Sequence, residues 1–164
     1  MKGIIIYKST YGSTKQYAEW LKEDTGFQNF AVNKISNKML ADSEVVIIGS
    51  PVLAHRPFLA NWIKKKWNIL KDKKVVLYTT SGAPASDPKL VAGFKASLDP
   101  EISSNIKYVP QGGRMIFSQL KPFHRFMMKL GMRMEKDPKV RAAMAKDKDG
   151  INRDGLKPIL EYVK

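Results

Sequence analysis

Gly3-Ile-Ile-Ile-Tyr7 is an unbroken apolar run of strand length, and it is followed by Lys8-Ser-Thr-Tyr-Gly-Ser-Thr-Lys15, which places four Ser and Thr hydroxyls around one glycine. A helical pattern begins in this second stretch. We therefore predict that a buried strand leads through a polar loop to the N-terminus of a helix. Such a junction suits an anion, because the first backbone N–H groups of a helix lack intrahelical partners and the helix dipole is positive there.

The polar loop has the chemistry of a phosphate site. Ser9, Thr10, Ser13 and Thr14 can add hydroxyl donors, and Gly12 lets the backbone approach a phosphate without an intervening Cβ. We predict a phosphate site at residues 9 to 15. The alternative is a solvated turn with an N-capping Ser or Thr. Neither G-x-x-x-x-G-K-[ST] nor G-x-G-x-x-G occurs here, so the loop is not of the triphosphate or dinucleotide type.

Length and composition predict one globular domain over residues 1–164. The chain has 43% apolar residues and 10% aromatic residues, which is too apolar for a disordered protein. It has no cysteine, which excludes disulfides, thiolate metal sites and cysteine nucleophiles, and we predict no metal site. We find no signal peptide and no apolar run of about 18 residues, so a cytoplasmic location is expected.

Strand and helix patterns alternate along the chain. Strands are predicted at 3–7, 31–35, 44–49, 74–80 and 106–109, and helices at 13–25, 58–70, 89–98, 140–145 and 156–163, with Pro100 ending the third helix. The strands are continuous apolar runs rather than alternating ones, which is typical of parallel strands buried on both faces. The pattern predicts an α/β doubly wound parallel sheet with helices on both faces.

Loops of small and polar residues follow three of these strands, at 9–14, 50–57 and 81–86. In doubly wound sheets, ligands bind beyond the carboxyl ends of the strands, where these loops meet. A receiver domain has the same alternation of strands and helices, but it needs acidic residues where this chain has Lys8, Ser9, Gly49 and Ser50. The three loops therefore predict a cofactor site rather than a magnesium and phosphoryl site.

Ser9-Thr-Tyr-Gly-Ser-Thr14 resembles the [ST]-x-[TY]-G-x-[ST] phosphate loop of flavodoxins, and the resemblance extends over nearly the whole chain. It implies a flavodoxin-like sheet of five parallel strands in the order 2-1-3-4-5 and FMN as cofactor. The FMN phosphate would lie at residues 9–14 and the isoalloxazine ring between the loops at 50–57 and 81–86. The implied cofactor-binding residues are Ser9, Thr10, Tyr11, Gly12, Ser13, Thr14, Pro51, Val52, Leu53, Ala54, Ser81, Gly82 and Ala83.

Two segments of the last third, Gly113–Leu120 and Phe123–Leu130, are similar to the branch that includes menaquinone-dependent protoporphyrinogen dehydrogenase. This resemblance implies an FMN-dependent oxidoreductase that passes electrons to a quinone or a similar acceptor. Two alternatives remain open: a soluble flavodoxin-type electron carrier that docks acidic redox proteins, and a flavin-free interaction module.

His55 and His124 are the two histidines of the chain. No Ser/His/Asp triad or carboxylate pair is apparent around either of them. His55 is the candidate catalytic residue, because its loop is expected to border the flavin, where an imidazole can donate a proton or cover the ring. The alternative for both histidines is a surface or packing role.

The last third is strongly basic. The chain has 29 Lys and Arg against 15 Asp and Glu, a net charge of +14, and residues 111–164 hold 13 of the bases and 6 of the acids. We predict a basic amphipathic helix at about 120–135. Its basic row is Lys121, Arg125, Lys129 and Arg133, and its apolar stripe is Phe123, Phe126, Met127, Leu130 and Met134.

The pattern of this helix predicts that it binds an anionic membrane surface through Arg125, Lys129 and Arg133, or that it binds an acidic protein partner. Three alternatives remain: a solvated charged face, a dimer contact, and nucleic acid. The last is the weakest, because no nucleic-acid-binding motif accompanies the charge, which is spread over several elements.

Overall fold

The apolar runs of the sequence form the strands of one central sheet. The computed structural model describes all 164 residues. The strands are β1 Gly3–Tyr7, β2 Gln28–Ala31, β3 Val45–Leu53, β4 Arg56–Pro57, β5 Lys74–Ser81, β6 Ile106–Gly112, β7 Arg114–Met115 and β8 Lys148–Asp149. Five of them are parallel in the order β2-β1-β3-β5-β6, with β4 antiparallel to β3. The predicted order 2-1-3-4-5 is confirmed, since β5 and β6 are the fourth and fifth parallel strands.

Eight α-helices connect the strands or follow them. They are α1 Ser13–Thr25, α2 Asn37–Ala41, α3 Ala60–Leu70, α4 Pro88–Ser97, α5 Pro100–Ser104, α6 Pro122–Met134, α7 Pro138–Met144 and α8 Lys157–Val163. All predicted helices are present with ends shifted by two residues at most, and α2 and α5 were not predicted. None of these helices combines the length and the apolar character that a bilayer span requires.

The core lies on both faces of the sheet, because successive side chains of a strand point to opposite sides. Ile4, Ile6 and Ile48 face one side, where they pack with residues of α2, α3, α4 and α5. Ile5 and Ile47 face the other, with residues of α1 and α8. Both faces are therefore buried, which explains why β1 and β3 are continuous apolar runs rather than alternating ones.

Four predicted boundaries are wrong. The second strand, predicted at 31–35, is Gln28–Ala31, and a 3₁₀ turn at Val32–Lys34 follows it. Val32 and Ile35 are apolar because they pack against the core from this turn. Pro100 does not end a helix but begins α5, as a residue without an N–H can at a first helical position. The third strand does not stop at residue 49 but continues to Leu53, and the fifth does not stop at residue 109 but continues to Gly112.

An insertion, defined here as residues 113–151, separates β6 from the last turn and helix of the fold. It contains the β7–β8 ribbon, α6 and α7. The buried hydroxyl of Tyr17 joins its two ends, because it donates to the Gly112 carbonyl at 2.7 Å and accepts from the Asn152 N–H at 3.0 Å. The Gly150 N–H also donates to the Gly113 carbonyl at 3.0 Å. The insertion is thus closed at its neck by α1.

Candidate functional site at the carboxyl edge of the sheet

The loops after β1, β3 and β5 meet at one edge of the sheet, as predicted for parallel strands. The Lys8 N–H donates to the Gly49 carbonyl at 3.0 Å, and the Lys8 ammonium lies 5.9 Å from the centroid of the Phe58 ring. Thr14 and Thr80 share a buried hydrogen bond of 2.8 Å between their hydroxyls. The first loop therefore contacts both of the other strand ends.

The N-terminus of α1 is open toward this edge. Gly12 precedes the helix with φ of 93°, in the left-handed region, and provides no side-chain cap. The Ser9 hydroxyl accepts from the Gly12 N–H at 3.1 Å and so shapes the loop. The N–H groups of residues 13 to 15 have no intrahelical acceptor, because they belong to the first turn. This geometry is suited to an anion, and the phosphate site at this position stays a prediction.

Tyr78 supports the first turn of α1 from below. Its hydroxyl donates to the Thr14 carbonyl at 2.9 Å. Complete burial raises the pKa of Tyr78 well above its ordinary value, so the phenol stays protonated and keeps its role as donor. A side chain at Gly49 would collide with the Tyr78 ring and the Thr14 methyl. Glycine at position 49 therefore lets the aromatic ring reach the helix backbone.

The predicted phosphate-binding hydroxyls have different surroundings. Thr14 and Ser13 are buried, and the Ser13 hydroxyl accepts from the Arg114 N–H at 3.0 Å. Ser9 and Thr10 are half-buried, whereas Tyr11 is exposed. The hydroxyls of Ser13 and Thr14 are thus already engaged in protein contacts, and the open part of the loop is at residues 9 to 12.

The second loop is a tight hairpin between β3 and β4. Leu53 pairs with Arg56, and the turn between them places Ala54 at φ of 50° and His55 at φ of 63°. The Ser50 hydroxyl closes the base, because it accepts from the Leu59 N–H at 3.0 Å. Of the predicted ring contacts in this loop, Pro51 and Val52 are half-buried, and Leu53 and Ala54 are exposed.

His55, the candidate catalytic residue, lies at the exposed tip of this hairpin. Its backbone carbonyl packs directly on Gly93 of α4, where a Cβ would collide with it. The imidazole makes no hydrogen bond. The structure thus gives a packing reason for the His55 backbone position, while its proposed part in proton transfer remains a prediction.

The third loop contains the predicted contacts Ser81, Gly82 and Ala83, all half-buried. It contacts the insertion, because the Gly113 N–H donates to the Ser81 carbonyl at 2.7 Å and the Met115 side chain packs on Gly82. Sequence reasoning missed Met115 at this edge. The signal available was its position just beyond the Gly112-Gly113 pair that ends the last parallel strand.

Tyr11 connects the phosphate loop to α6. Its hydroxyl accepts from the Lys121 N–H at 3.0 Å and lies 2.5 Å from Nδ1 of His124, to which it can donate. The two rings meet edge to face, with centroids 5.6 Å apart. His124 therefore serves as a contact between the insertion and the loop, and we refer to these two hydrogen bonds as the Tyr11 latch. The sequence carried no signal for it, because the partners are more than 100 residues apart.

The family model described as "Flavodoxin domain" matches residues 4–141, which include the three loops and most of the insertion. The chain belongs to the flavodoxin family. Among curated proteins, no match was found. The assignment agrees with the sequence at residues 9 to 14, where the resemblance to the flavodoxin phosphate loop was first seen.

One solved structure agrees with this chain in fold, and two others resemble it more weakly. The two-electron reduced flavodoxin of Megasphaera elsdenii is 14% identical, with a TM-score of 0.52 over 66% of this chain and 82% of that chain. A WrbA-like protein of Agrobacterium tumefaciens is 18% identical, with a TM-score of 0.49 over 68% and 82%. A flavoprotein of Lactobacillus acidophilus in complex with FMN is 17% identical, with a TM-score of 0.45 over 68% and 91%.

Proposed function

We propose that this flavodoxin-family protein binds FMN at the carboxyl edge of its sheet and acts as an oxidoreductase that passes electrons to a quinone or a similar acceptor. The observation that carries the proposal is the open N-terminus of α1, which has a left-handed glycine, no side-chain cap and three N–H groups without intrahelical acceptors. A phosphate monoester supplies the acceptor oxygens and the negative charge that such a terminus favours.

The residues present fit the phosphate end of FMN. The loop leaves an uncrowded approach, because no atom lies within 4 Å of where a side chain on Gly12 would begin. The Ser9 and Thr10 side chains flank that approach and remain half-exposed. Backbone N–H groups of residues 13 to 15 would hold the phosphate, and the Tyr78 hydrogen bond to Thr14 keeps their turn in place.

The exposed apolar side chains at the same edge fit the ring end. Tyr11, Leu53 and Phe58 are 41%, 40% and 55% exposed, although each follows a buried strand. Large apolar side chains are the usual lining of a cofactor site. Gly82 and Met115 would border the ring from the third loop and the insertion, and the hairpin at 52–54 would offer backbone groups to its polar edge.

Bound FMN would supply the transfer of a hydride or of single electrons, and the protein would set its position and its electrostatic surroundings. The Lys8 ammonium beside Phe58 places a positive charge at the edge, which favours uptake of electrons there. The hairpin and the insertion would limit the access of water. His55 is placed to donate a proton only if its imidazole turns toward the ring.

The insertion supports an oxidoreductase function. The proposed oxidoreductase is of the branch that includes menaquinone-dependent protoporphyrinogen dehydrogenase. The segments that resemble that branch, 113–120 and 123–130, lie beside the proposed ring site at Met115 and beside the phosphate loop at His124. A substrate-specific oxidoreductase needs such additional surface near its flavin. The porphyrin substrate itself rests on the sequence resemblance.

A soluble electron carrier is the second candidate, because a net charge of +14 suits docking to acidic redox proteins.

The test of the proposed function has two stages. The purified protein should show the visible spectrum of a bound flavin, as isolated or after addition of FMN. The loaded protein should then sustain anaerobic oxidation of protoporphyrinogen beyond a single reduction of its flavin only when a menaquinone analogue is added.

Each result of that test has a defined meaning. A flavin that is bound but inert toward protoporphyrinogen and quinone, yet rapidly reduced by an acidic redox protein in a salt-dependent manner, would favour the carrier. A colourless protein that stays colourless with excess FMN would refute both forms of the proposal.

A further inference from the structure

We infer that α6 is a docking element for an anionic lipid surface. This inference goes beyond the proposed redox function and does not depend on it. Although α6 has 13 residues, none of them is buried. Four large apolar side chains are exposed to solvent: Phe123 at 60%, Phe126 at 62%, Leu130 at 41% and Met134 at 73%. A helix attached to its own protein on one side therefore presents an apolar surface on the other.

The exposed apolar residues form one stripe. At about 100° per residue, they fall within an arc of roughly 80°. The half-buried residues Met128 and Met132 lie about 160° from the centre of this arc and face the protein, whereas the half-buried Met127 borders the stripe about 20° from Met134. The stripe is therefore the outer surface of α6 rather than a loosely packed inner one. We name the four residues Phe123, Phe126, Leu130 and Met134 the outer stripe.

Free cations flank the outer stripe. Arg133 lies about 20° and Lys129 about 60° beyond its edge on the helical wheel. Both side chains are exposed, and neither is in an ion pair. Beyond the end of α6, Lys136 and Lys139 are likewise exposed and without ion pairs. Apolar side chains with flanking cations form the pattern of a helix that lies in a membrane interface.

Arg125, which the sequence prediction grouped with Lys129 and Arg133, is not among these free cations. Its guanidinium points inward and donates to the Ser118 carbonyl at 3.0 Å and toward the Leu120 carbonyl at 3.4 Å. Arg141 of α7 is also engaged, since it donates to the carbonyls of Met132 and Glu135 at 3.1 and 2.5 Å. These two arginines hold α6 to the rest of the insertion and leave Lys129 and Arg133 for the membrane.

Charge complementarity favours anionic lipid as the partner of the outer stripe and its cations. A second copy of this chain is disfavoured, because it would bring two stripes with the same basic flank, each on a protein of charge +14, against one another. Anionic headgroups instead neutralise Lys129 and Arg133 while the acyl region receives the outer stripe. An acidic protein would satisfy the charges, but it would have to offer an apolar groove as well.

Docking of α6 would also place the cofactor edge close to the lipid. The Tyr11 latch joins the start of α6 to the phosphate loop through Lys121 and His124. The proposed flavin site and the outer stripe are therefore connected by two hydrogen bonds rather than by a flexible linker. A quinone in the membrane would then be within reach of the same edge.

The test is cosedimentation of the full-length protein with vesicles of phosphatidylcholine and phosphatidylglycerol, compared with vesicles of phosphatidylcholine alone. We expect binding only to the anionic vesicles. Lys129→Gln together with Arg133→Gln should weaken binding about 25-fold, since each cation near such a surface contributes about a factor of five. Phe126→Ser should weaken it about tenfold or more, through loss of apolar burial.

Lys64→Gln together with Lys65→Gln is the matched control, because it removes the same charge from exposed positions of α3. We expect less than a twofold change. Circular dichroism and flavin absorbance, unchanged in all variants, would show that folding and cofactor binding are intact. A loss of the flavin without a loss of vesicle binding would count against the proposed function alone.

Three results would overturn the inference. The first is an absence of binding to anionic vesicles. The second is equal weakening by the α3 and α6 charge variants with no effect of Phe126→Ser, which would indicate attraction by net charge only. The third is a dimer in sedimentation velocity that Phe126→Ser dissociates, which would assign the outer stripe to a second copy of the chain.

Discussion

Replacing Tyr11 with phenylalanine should release α6 from the phosphate loop. The substitution keeps the aromatic ring and its edge-to-face contact with His124 but removes the hydroxyl. Two hydrogen bonds are lost, at 3.0 Å from the Lys121 N–H and at 2.5 Å to His124. Each bond is exposed, so its net contribution is at the lower end of the usual range, about 0.5 to 1 kcal/mol, and the Tyr11 latch stabilises the docked insertion by about 1 to 2 kcal/mol.

This magnitude predicts a local effect. Since α6 has no buried residue, its docked state depends on few contacts, and loss of the latch should raise its open population about 5- to 30-fold. Native-state hydrogen exchange should show the α6 amides exchanging faster by that factor, while amides of β1, β3 and β5 are unchanged. Tyr162→Phe is the matched control, because the Tyr162 hydroxyl makes no hydrogen bond and its ring is 37% exposed.

A double-mutant cycle measures the interaction between Tyr11 and His124. Tyr11→Phe and His124→Ala should each accelerate exchange in α6, and the double variant should show less than the sum, with a coupling of about 0.5 to 1.5 kcal/mol. Unchanged exchange in Tyr11→Phe, or strict additivity in the cycle, would refute the latch.

Three further substitutions test other parts of the structure. Gly12→Ala meets no neighbouring atom but forces a side chain into φ of 93°, so the strain of about 1 to 2 kcal/mol should lower FMN affinity about 5- to 30-fold in a fluorescence titration. Gly93→Ala should collide with the His55 carbonyl and destabilise the protein by about 1 to 3 kcal/mol in urea denaturation. Tyr17→Phe leaves two backbone groups at the neck of the insertion without a partner, and should cost about 2 to 4 kcal/mol in the same assay.

Each of these substitutions has a contrary result or a control. Unchanged FMN affinity in Gly12→Ala would mean that the loop does not hold the phosphate. Gly82→Ala is a milder comparison for Gly93→Ala, because its new Cβ would meet only Met115 at 3.4 Å, within ordinary contact distance. Wild-type stability of Tyr17→Phe would show that the neck is held by the glycine backbone contacts rather than by the hydroxyl.

The sheet and its ligand edge were predictable because they depend on local patterns. Apolar runs of strand length and helical spacing are visible in any short window, and the handedness of the connections between parallel strands follows from a general rule. Helix α1 was predicted at its observed bounds, because a hydroxyl-rich loop and Gly26 define its two ends. The sheet order followed from the resemblance to flavodoxins.

The errors came from features that depend on tertiary contacts. The β3 hairpin turns at Ala54 and His55, which are not typical residues for positive φ, so no turn signal marked it. The second strand was misplaced because Val32 and Ile35 are apolar for packing from a 3₁₀ turn. The sequence spacing of Arg125 and Lys129 could not show that the Arg125 guanidinium turns inward while the Lys129 ammonium stays free of ion pairs.

The site was predictable in its loops but not in its supports. Residues 9 to 14 are recognisable from the sequence, whereas Tyr78, Thr80 and Tyr17 support the site through contacts 64 to 135 residues distant in the chain. The single sequence gives no information on such pairs. The residue types of Tyr78, Thr80 and Tyr17 gave no indication of this role either, since a buried aromatic residue or threonine is ordinary in a core.

The most direct test of the phosphate site is the affinity of the flavin-free protein for FMN compared with riboflavin, which lacks the phosphate. Several charge-assisted hydrogen bonds at the N-terminus of α1 should make FMN bind at least about 100-fold more tightly than riboflavin. High salt should reduce that ratio, because the phosphate is held partly by charge. Equal affinity for the two flavins, or no binding of either, would contradict the account.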